Sequence, residues 1–407
     1  MLVIDACGVG ALPDARDYGD EGTNTLAHLA EALGGLQLPT LGALGLGSIV
    51  PVRGVAPAAD PVIHGRLHPL GPGKDSITGH WELMGVVLEQ PLPTYPDGFP
   101  PPVIERLKAV IGRGVICNRP YNGIAAIEDF GAEHLRTGAL ILYTSQDSVL
   151  QLAAHLDRLP EAELHRVCAL VREAMSGEHG VGRVIARPFA GREGVFVRTE
   201  GRRELTLRAR SRSYLQELRD AGVEVHGVGK ISDLFTGVGI TRSHSGATNA
   251  RALASTDSLA AQLEHGLVFV NLVETDQAYG HRKDIEGFAG ALRHLDKWLA
   301  SHLERMRAED LLIITADHGV DPAHPGTDHT REHAPLLALT GEMARRRAGG
   351  KRSCADQERG VRHDAARGET ARHDGPLADV GATVLRWLAG RDAQGLPGES
   401  FLGKVAR

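Results

Sequence analysis

Cysteine, aromatic residues and long apolar runs are all scarce in this chain, and each scarcity removes a class of protein. The four cysteines among 407 residues, Cys7, Cys117, Cys168 and Cys354, are scattered and lack CxxC spacing. They form neither a disulfide framework nor a zinc cluster, and read as reduced thiols of a cytoplasmic protein. Positive charge is not in excess: the formal net charge is −6 at pH 7, which argues against a nucleic-acid-binding surface as the main function. Asp5 interrupts the N-terminal apolar run almost at once, and no run reaches membrane-spanning length. Neither a signal peptide nor a membrane segment is therefore expected.

What the chain does have is an alternation of apolar runs with helix-like stretches, the pattern of an α/β protein long enough for two domains. Strands are expected at Leu2–Ile4, Ala139–Tyr143, Arg183–Ala186, Val223–Val228, Leu267–Val273 and Leu311–Thr315. Helices are expected at Thr25–Leu33, Ile104–Val110, Leu164–Met175, Tyr214–Ala221, Phe288–Met306 and Leu377–Leu388. The last two carry apolar residues at three-to-four spacing, so one face of each packs on a sheet. Pro-rich punctuation at Pro91–Pro102 marks a domain entry, and an irregular stretch near Gly191–Ser213 marks the return. Glu342–Ala371, rich in Arg, Gly and Ala, reads as a solvated, mobile insertion; within and just after it Arg362-His363-Asp364 recurs as Arg372-His373-Asp374.

Three constellations carry chemistry. The first is Asp317-His318 directly after Leu311–Thr315, with His329 closing the following loop. Asp276 and His281 follow Leu267–Val273, and Asp5 follows Leu2–Ile4. Any one histidine, taken alone, is an ordinary core or surface residue. Three strand ends that each deliver a carboxylate, two of them with histidines, are not ordinary. Six such ligands suffice for two metals with open positions, and the carboxylate–imidazole mixture suits Mn²⁺ or Zn²⁺ better than Ca²⁺. His324, His333 and Asp321 lie nearby without an independent reason to be ligands.

The second constellation is Gly73-Lys74-Asp75-Ser76-Ile77-Thr78-Gly79-His80-Trp81-Glu82. A Gly-rich turn leads into an amphipathic run, so Ser76 or Thr78 stands at a helix N-terminus, as a plain cap or as a nucleophile beside a cation. The third is cationic: Arg183 and Arg187 flank one strand, Arg198 follows, and Lys230 stands at another strand end, all suited to phosphate. Thr144-Ser145-Gln146-Asp147-Ser148 offers hydroxyls and a carboxylate to sugar hydroxyls.

These motifs together resemble the phosphopentomutase family of the alkaline phosphatase superfamily. Its carriers here are Asp5 with Gly8-Val9-Gly10 and Pro13-Asp14-Ala15, Gly73–Gly85, Tyr143–Ser148, Gly182–Phe189, Asn271–His281 and Ile314–Glu332. The resemblance implies an alkaline-phosphatase-like core with a central, mostly parallel sheet flanked by helices, built from 1–91 and 207–407, and an α+β cap inserted at 92–206. It implies two metals, usually Mn²⁺: one on Asp5, Asp317, His318 and the nucleophile oxygen, the other on Asp276, His281 and His329. The family's nucleophile follows Lys-Asp and is normally Thr; here it is Ser76. The implied reaction interconverts ribose 1-phosphate and ribose 5-phosphate, and the deoxyribose pair, through a phosphorylated enzyme, a pentose bisphosphate and a sugar bisphosphate activator. Arg183, Arg187 and Lys230 would hold the phosphate that is not transferring, and Ser145 and Asp147 the sugar. A metal-dependent phosphomonoesterase of the same superfamily is the alternative.

Two departures from the family pattern shape further expectations. Only four residues precede Asp5, so either a frayed first strand or a true start upstream is expected. Ala6-Cys7 replaces a more usual Ser and apolar pair, which places a thiol near the metals as an oxidation liability.

Overall fold

The computed structural model describes residues 1–145, 147–349 and 372–402. Gln146, Cys354, the first Arg-His-Asp copy and most of the proposed insertion lie outside the described residues. The chain divides into two compact units, one made of Met1–Glu89 with Ser211–Arg407 and the other of Gln90–Arg210. No helix among the described residues is long and apolar enough to cross a membrane.

In chain order the strands are β1 (Leu2–Ile4), β2 (Ile63–His68), β3 (Val115–Pro120), β4 (Leu140–Thr144), β5 (Val149–His155), β6 (Arg183–Ala190), β7 (Val197–Arg198) and β8 (Arg203–Thr206). β9 (Val225–Val228), β10 (Arg242–His244), β11 (Leu267–Leu272), β12 (Leu311–Thr315), β13 (Ala334–Thr340) and β14 (Gly375–Pro376) follow. The first unit's sheet runs in the order β10-β9-β11-β1-β12-β13-β2-β14. From β10 to β12 every pair is parallel, and β13 then runs antiparallel to both β12 and β2. β1 is short and paired on both sides. It sits between β11 and β12, and all three of its residues are buried. Such strands read as continuous apolar runs because both faces are covered.

The second unit holds the order β3-β4-β5-β6, with β7 and β8 both added to the outer edge of β6. The stretch near Gly191–Ser213, irregular by sequence, therefore contributes two strands. The helix Pro101–Ile111 opens on Pro101 and Pro102, where a missing N–H costs nothing, and presents Val103, Leu107 and Ile111 to an aliphatic core with Leu164, Val167 and Val171. The segment read as a mobile insertion begins as a helix, Gly341–Gly349. The second Arg-His-Asp copy is committed to structure: His373 Nε2 lies 2.7 Å from Asp379, and Asp374 accepts from the Arg66 amide at 2.8 Å.

The loops at the carboxyl edge of the first sheet are tied together by Glu332, which is fully enclosed. Its carboxylate accepts from the Gly10 amide (3.1 Å), the Thr25 amide (2.9 Å), the Thr25 hydroxyl (2.7 Å) and the Thr330 hydroxyl (2.7 Å). Burial raises its pKa and these four donors oppose the rise. Gly8 follows from this knot. A Cβ on Gly8 would stand 2.3 Å from Glu332 Oε2, so only hydrogen fits there.

Gly8→Ala is expected to lower the unfolding free energy by about 1–3 kcal/mol, the range for overfilling a packed core. Gly290→Ala, in the helix Ile285–Arg305 with nothing within 4 Å of the added carbon, should raise it by about 0.5–1 kcal/mol. Urea midpoints of the two variants check both signs.

Candidate metal centre

β11, β1 and β12 are parallel neighbours, so their carboxyl ends open side by side. Val3 pairs with Thr315, and two residues further on each strand stand Asp5 and Asp317. At Ala6 the chain turns into the left-handed region (φ 63°), and its amide donates to Asp317 Oδ1 at 3.1 Å. β11 leads into one π-helical turn, Thr275–Tyr279, that carries Asp276, and then a tight turn with His281. Turns of this wide kind recur at functional sites because they re-aim one side chain.

The six expected ligands gather as two trios, Asp5 with Asp317 and His318, and Asp276 with His281 and His329; within each trio the ligand atoms lie within 4.8 Å of one another. In the first, His318 Nε2 is 3.5 Å from Asp5 Oδ1 and 3.3 Å from Asp317 Oδ2. In the second, Asp276 Oδ1 is 3.3 Å from His281 Nε2 and 3.2 Å from His329 Nε2, which are themselves 3.1 Å apart. Tetrahedral metal–nitrogen bonds of about 2.1 Å place ligand atoms roughly 3.4 Å apart, so this spacing fits a cation. The tautomers fit as well. His318 Nδ1 faces the Gly319 carbonyl at 3.0 Å and His281 Nδ1 the Thr327 carbonyl at 2.6 Å, which leaves the inward Nε2 lone pairs to a ligand role. Asp276 Oδ1 and Asp317 Oδ2 are buried and make no hydrogen bond of good geometry, with only histidine nitrogens at 3.0 to 3.3 Å beside them, a costly state that a cation relieves.

Electrostatics point the same way. Burial works to raise the Asp5 pKa, but the hydrogen bond and charge of His318, with Lys230 and His80 beyond, hold it far below the usual carboxylate range. Burial disfavours a charged His318 ring, yet Asp317, Asp5 and Asp276 outweigh it and raise its pKa well above normal. Three carboxylates enclosed together draw positive charge, whether proton or metal ion.

Ser76 lies beside the first trio, its Oγ 3.1 Å from His318 Nε2 and 3.4 Å from Asp5 Oδ1. The helix is Ser76–Leu83, and its N-cap is Asp75, neither Ser76 nor Thr78. Asp75 accepts from the Ile77 amide (2.9 Å) and the Thr78 amide (3.2 Å), while Thr78 Oγ1 bonds back to Asp75. Thr78 is thus consumed by the capping box, and Ser76, one position past the cap, keeps its hydroxyl for other work. Gly79 lets the helix lie against the Asp317 turn: a Cβ there would meet the Asp317 carbonyl oxygen at 2.5 Å.

Two residues that the sequence did not single out complete the surroundings. His80 Nδ1 lies 2.8 Å from the Ser76 carbonyl and 3.0 Å from Asp317 Oδ2. Asn271 Nδ2 reaches both Asp5 Oδ2 at 2.8 Å and His80 Nε2 at 3.2 Å. Both residues lie within stretches that carry the family resemblance, Gly73–Gly85 and Asn271–His281, and that was the signal available. Lys230 follows β9, one strand out from β11, and its charge acts on Asp5. His324, His333 and Asp321 are otherwise engaged: the first two reach the Gly19 and Gly10 carbonyls, and Asp321 takes the Asn24 amide and His28.

In the second unit Arg183 Nη2 donates to Asp147 Oδ2 at 3.1 Å, so two expected substrate residues face one another. Arg187 Nε donates to Gln151 at 3.0 Å. Arg198 and Arg202, the latter missed by sequence reasoning, share this surrounding. Burial, then the charges of Arg187, Arg183 and Arg198, lower the Arg202 pKa to about 10. Asp147 and Glu204 stand among these guanidinium groups, the latter paired with both Arg183 and Arg202, so the cluster of four arginines holds two carboxylates and keeps a surplus of positive charge. Ser145 precedes Asp147, and its hydroxyl accepts from the Asp147 amide at 3.2 Å.

A metalloenzyme superfamily model matches residues 1–390. Curated relatives match over most or all of the chain. A phosphopentomutase of Caldanaerobacter subterraneus subsp. tengcongensis is 48% identical over 84% of this chain and 87% of its own length. One of Desulfitobacterium hafniense is 41% identical over 100% of this chain and 98% of its own, and one of Anaeromyxobacter dehalogenans is 45% identical with the same coverage.

The thiol near the site is not the liability its position suggests. Cys7 is buried, and enclosure together with the charges of Glu332 and Asp317 pushes its pKa up to about 12. A thiol that stays protonated at pH 8 is a poor nucleophile. Iodoacetamide at pH 8 is therefore expected to leave Cys7 unmodified in the folded protein and to label it fully in denaturant, read by peptide mass mapping.

Proposed function

The chain belongs to the phosphopentomutase family within the metalloenzyme superfamily, and from that premise we propose that it interconverts ribose 1-phosphate and ribose 5-phosphate, and the 2-deoxyribose pair, through a phosphorylated Ser76. The observation that carries this reading is the Ser76 hydroxyl, left out of its own helix cap and set 3.1 Å from His318 Nε2. Asp5, Asp317, His318 and the Ser76 oxygen would hold one divalent ion, and Asp276, His281 and His329 the other, with Mn²⁺ the preferred metal. When bound, the pair neutralises phosphoryl oxygens and favours the serine alkoxide.

The remaining work falls to the chain's own residues. Phosphorylated Ser76 gives its phosphoryl group to the free hydroxyl of a pentose phosphate, breaking the serine O–P bond and forming a sugar O–P bond. The resulting bisphosphate turns round and returns its other phosphoryl group to Ser76, so no net phosphate is gained or lost. A sugar bisphosphate charges the enzyme at the outset. His80 and Asn271 fix Ser76, Asp5 and Asp317 relative to one another, which matters because phosphoryl transfer depends on in-line placement more than on covalent assistance. Arg183, Arg187 and Lys230 bind the phosphate that does not transfer, with Arg198 and Arg202 adding to the cationic surface. Ser145 and Asp147 hydrogen-bond sugar hydroxyls.

The test is conversion of ribose 5-phosphate to ribose 1-phosphate with Mn²⁺ and a sugar bisphosphate. Turnover is expected, to be lost on chelation and restored by Mn²⁺. Release of inorganic phosphate in its place would mark a phosphomonoesterase. Ser76→Ala should lower turnover by roughly 10³-fold or more while binding Mn²⁺ as the parent does. Full activity in that variant would move the nucleophile elsewhere.

A further inference from the structure

The motif residues Pro13-Asp14-Ala15 and Arg331 have no part in the chemistry above, yet the structure gives them a common task. We infer that Arg331 is a positioning residue that clamps the loop leading to Ser76 onto the segment carrying His329, one ligand of the second trio. The inference rests on the proposed role of Ser76.

Arg331 is buried, two residues after His329, and its guanidinium uses both edges of its fork. Nε and Nη2 donate to the Asp14 carboxylate at 3.2 and 2.8 Å, and Nη1 donates to the Gly73 carbonyl at 2.5 Å. The plane lies over the Tyr18 ring, 4.9 Å from its centroid. Tyr18 in turn donates its hydroxyl to the Pro72 carbonyl at 2.9 Å. One more carboxylate joins the two loops: Asp20 Oδ2 accepts both the Arg331 amide (2.8 Å) and Lys74 Nζ (2.9 Å). Ahead of Gly73, the Leu70 and Gly71 amides donate to Glu82 on the nucleophile's own helix. Every residue from Leu70 to Lys74 is therefore held by one group outside the segment, and the next two are the cap Asp75 and Ser76.

The geometry explains why arginine stands here. A lysine could neutralise Asp14 or reach Gly73, but it cannot do both while stacking on Tyr18. It also explains the Asp14 motif, which sets the angle of the guanidinium. Because Arg331 and His329 share one short stretch of chain, the clamp ties the approach to Ser76 to the segment that carries His329. A displacement of 1 Å at a reacting atom is worth about 10²-fold in rate.

Arg331→Met, Arg331→Lys, Asp14→Asn and Tyr18→Phe, each made in the full chain, test this by two measurements. In the ribose 5-phosphate assay, both Arg331 variants are expected to lose kcat by about 10²-fold with KM within about twofold of the parent. Asp14→Asn should act in the same direction, and Arg331→Met combined with it should lose little more than Arg331→Met alone. By amide hydrogen exchange, 70–78 should exchange faster in these variants while β1 and β12 stay protected. A raised KM at parental kcat would make Arg331 a substrate ligand and overturn the inference, as would parental kinetics with parental exchange. If Arg331→Met does not fold, Tyr18→Phe, which removes one hydroxyl, decides: unchanged exchange over 70–78 and unchanged kcat overturn the clamp. A parent without mutase turnover would sink the functional reading alone, and the exchange data would still decide whether Arg331 holds the loop.

Discussion

Three carboxylates in one small buried volume are the constraint from which the rest of the site follows. The parallel pairing of β11, β1 and β12 leaves no alternative: with Val3 opposite Thr315, Asp5 and Asp317 emerge in step, and Asp276 arrives from the next strand. These acids are buried, and Asp276 Oδ1 and Asp317 Oδ2 are faced only by histidine nitrogens at 3.0 to 3.3 Å. Unpaired buried charge is among the most costly states a fold can contain. The imidazoles of His281, His318 and His329, the charge of Lys230 and a candidate site for divalent ions are the answer to that cost. A sheet that concentrates negative charge at one edge is a sheet prepared for cations, and hence for the phosphate oxygens that cations attract.

Much of this was legible because strand and ligand are adjacent in sequence. Leu2–Ile4 and Leu311–Thr315 are read to the residue, since a short branched run stops where a polar ligand begins. Ser76 as the odd hydroxyl out was not legible in the same way. Sequence offered Ser76, Thr78 or a simple cap; the structure gives the cap to Asp75, which differs from a serine cap only in which side chain folds back. Strand β2, Ile-His-Gly-Arg-Leu-His, escaped notice because it lies near the sheet's far edge and alternates weakly. The helix Gly123–Thr137 escaped because it opens on glycine, although Asn122 caps it at 2.8 Å from the Ile124 amide. Arg202 could not be separated from a background of many arginines until folding placed it near Arg183, Arg187 and Arg198.

Glycine in these motifs is a matter of space more often than of flexibility. Gly79 is helical and has no unusual backbone angle, yet a methyl group there would strike the Asp317 carbonyl. Gly319 stands in the same relation to Glu332 as Gly8 does, with its would-be Cβ 2.5 Å from a carboxylate oxygen. In each case the absent side chain allows an acid or its backbone to approach within contact distance of another element. The glycines of Gly-Val-Gly, Thr-Gly-His and Asp-His-Gly are thus the counterpart of the buried carboxylates: one supplies the charge, the other the room to bury it.

Under the proposed reaction, that arrangement bears on how a single serine would act at two ends of a sugar. The substrate must turn round between the two transfers, so the moving part of the reaction is the bisphosphate, and the enzyme's own oxygen has to be in the same place both times. A nucleophile on a free loop would pay an ordering cost at each transfer. Ser76 avoids it twice over. Its helix is sealed below by Gly79 against Asp317, and its approach loop is held by Glu82, Tyr18, Arg331 and Asp20. With the serine held beside the first trio and its approach loop tied to the segment carrying His329, the same geometry would serve either phosphate of the proposed intermediate, which is the symmetry that an interconversion without net hydrolysis requires.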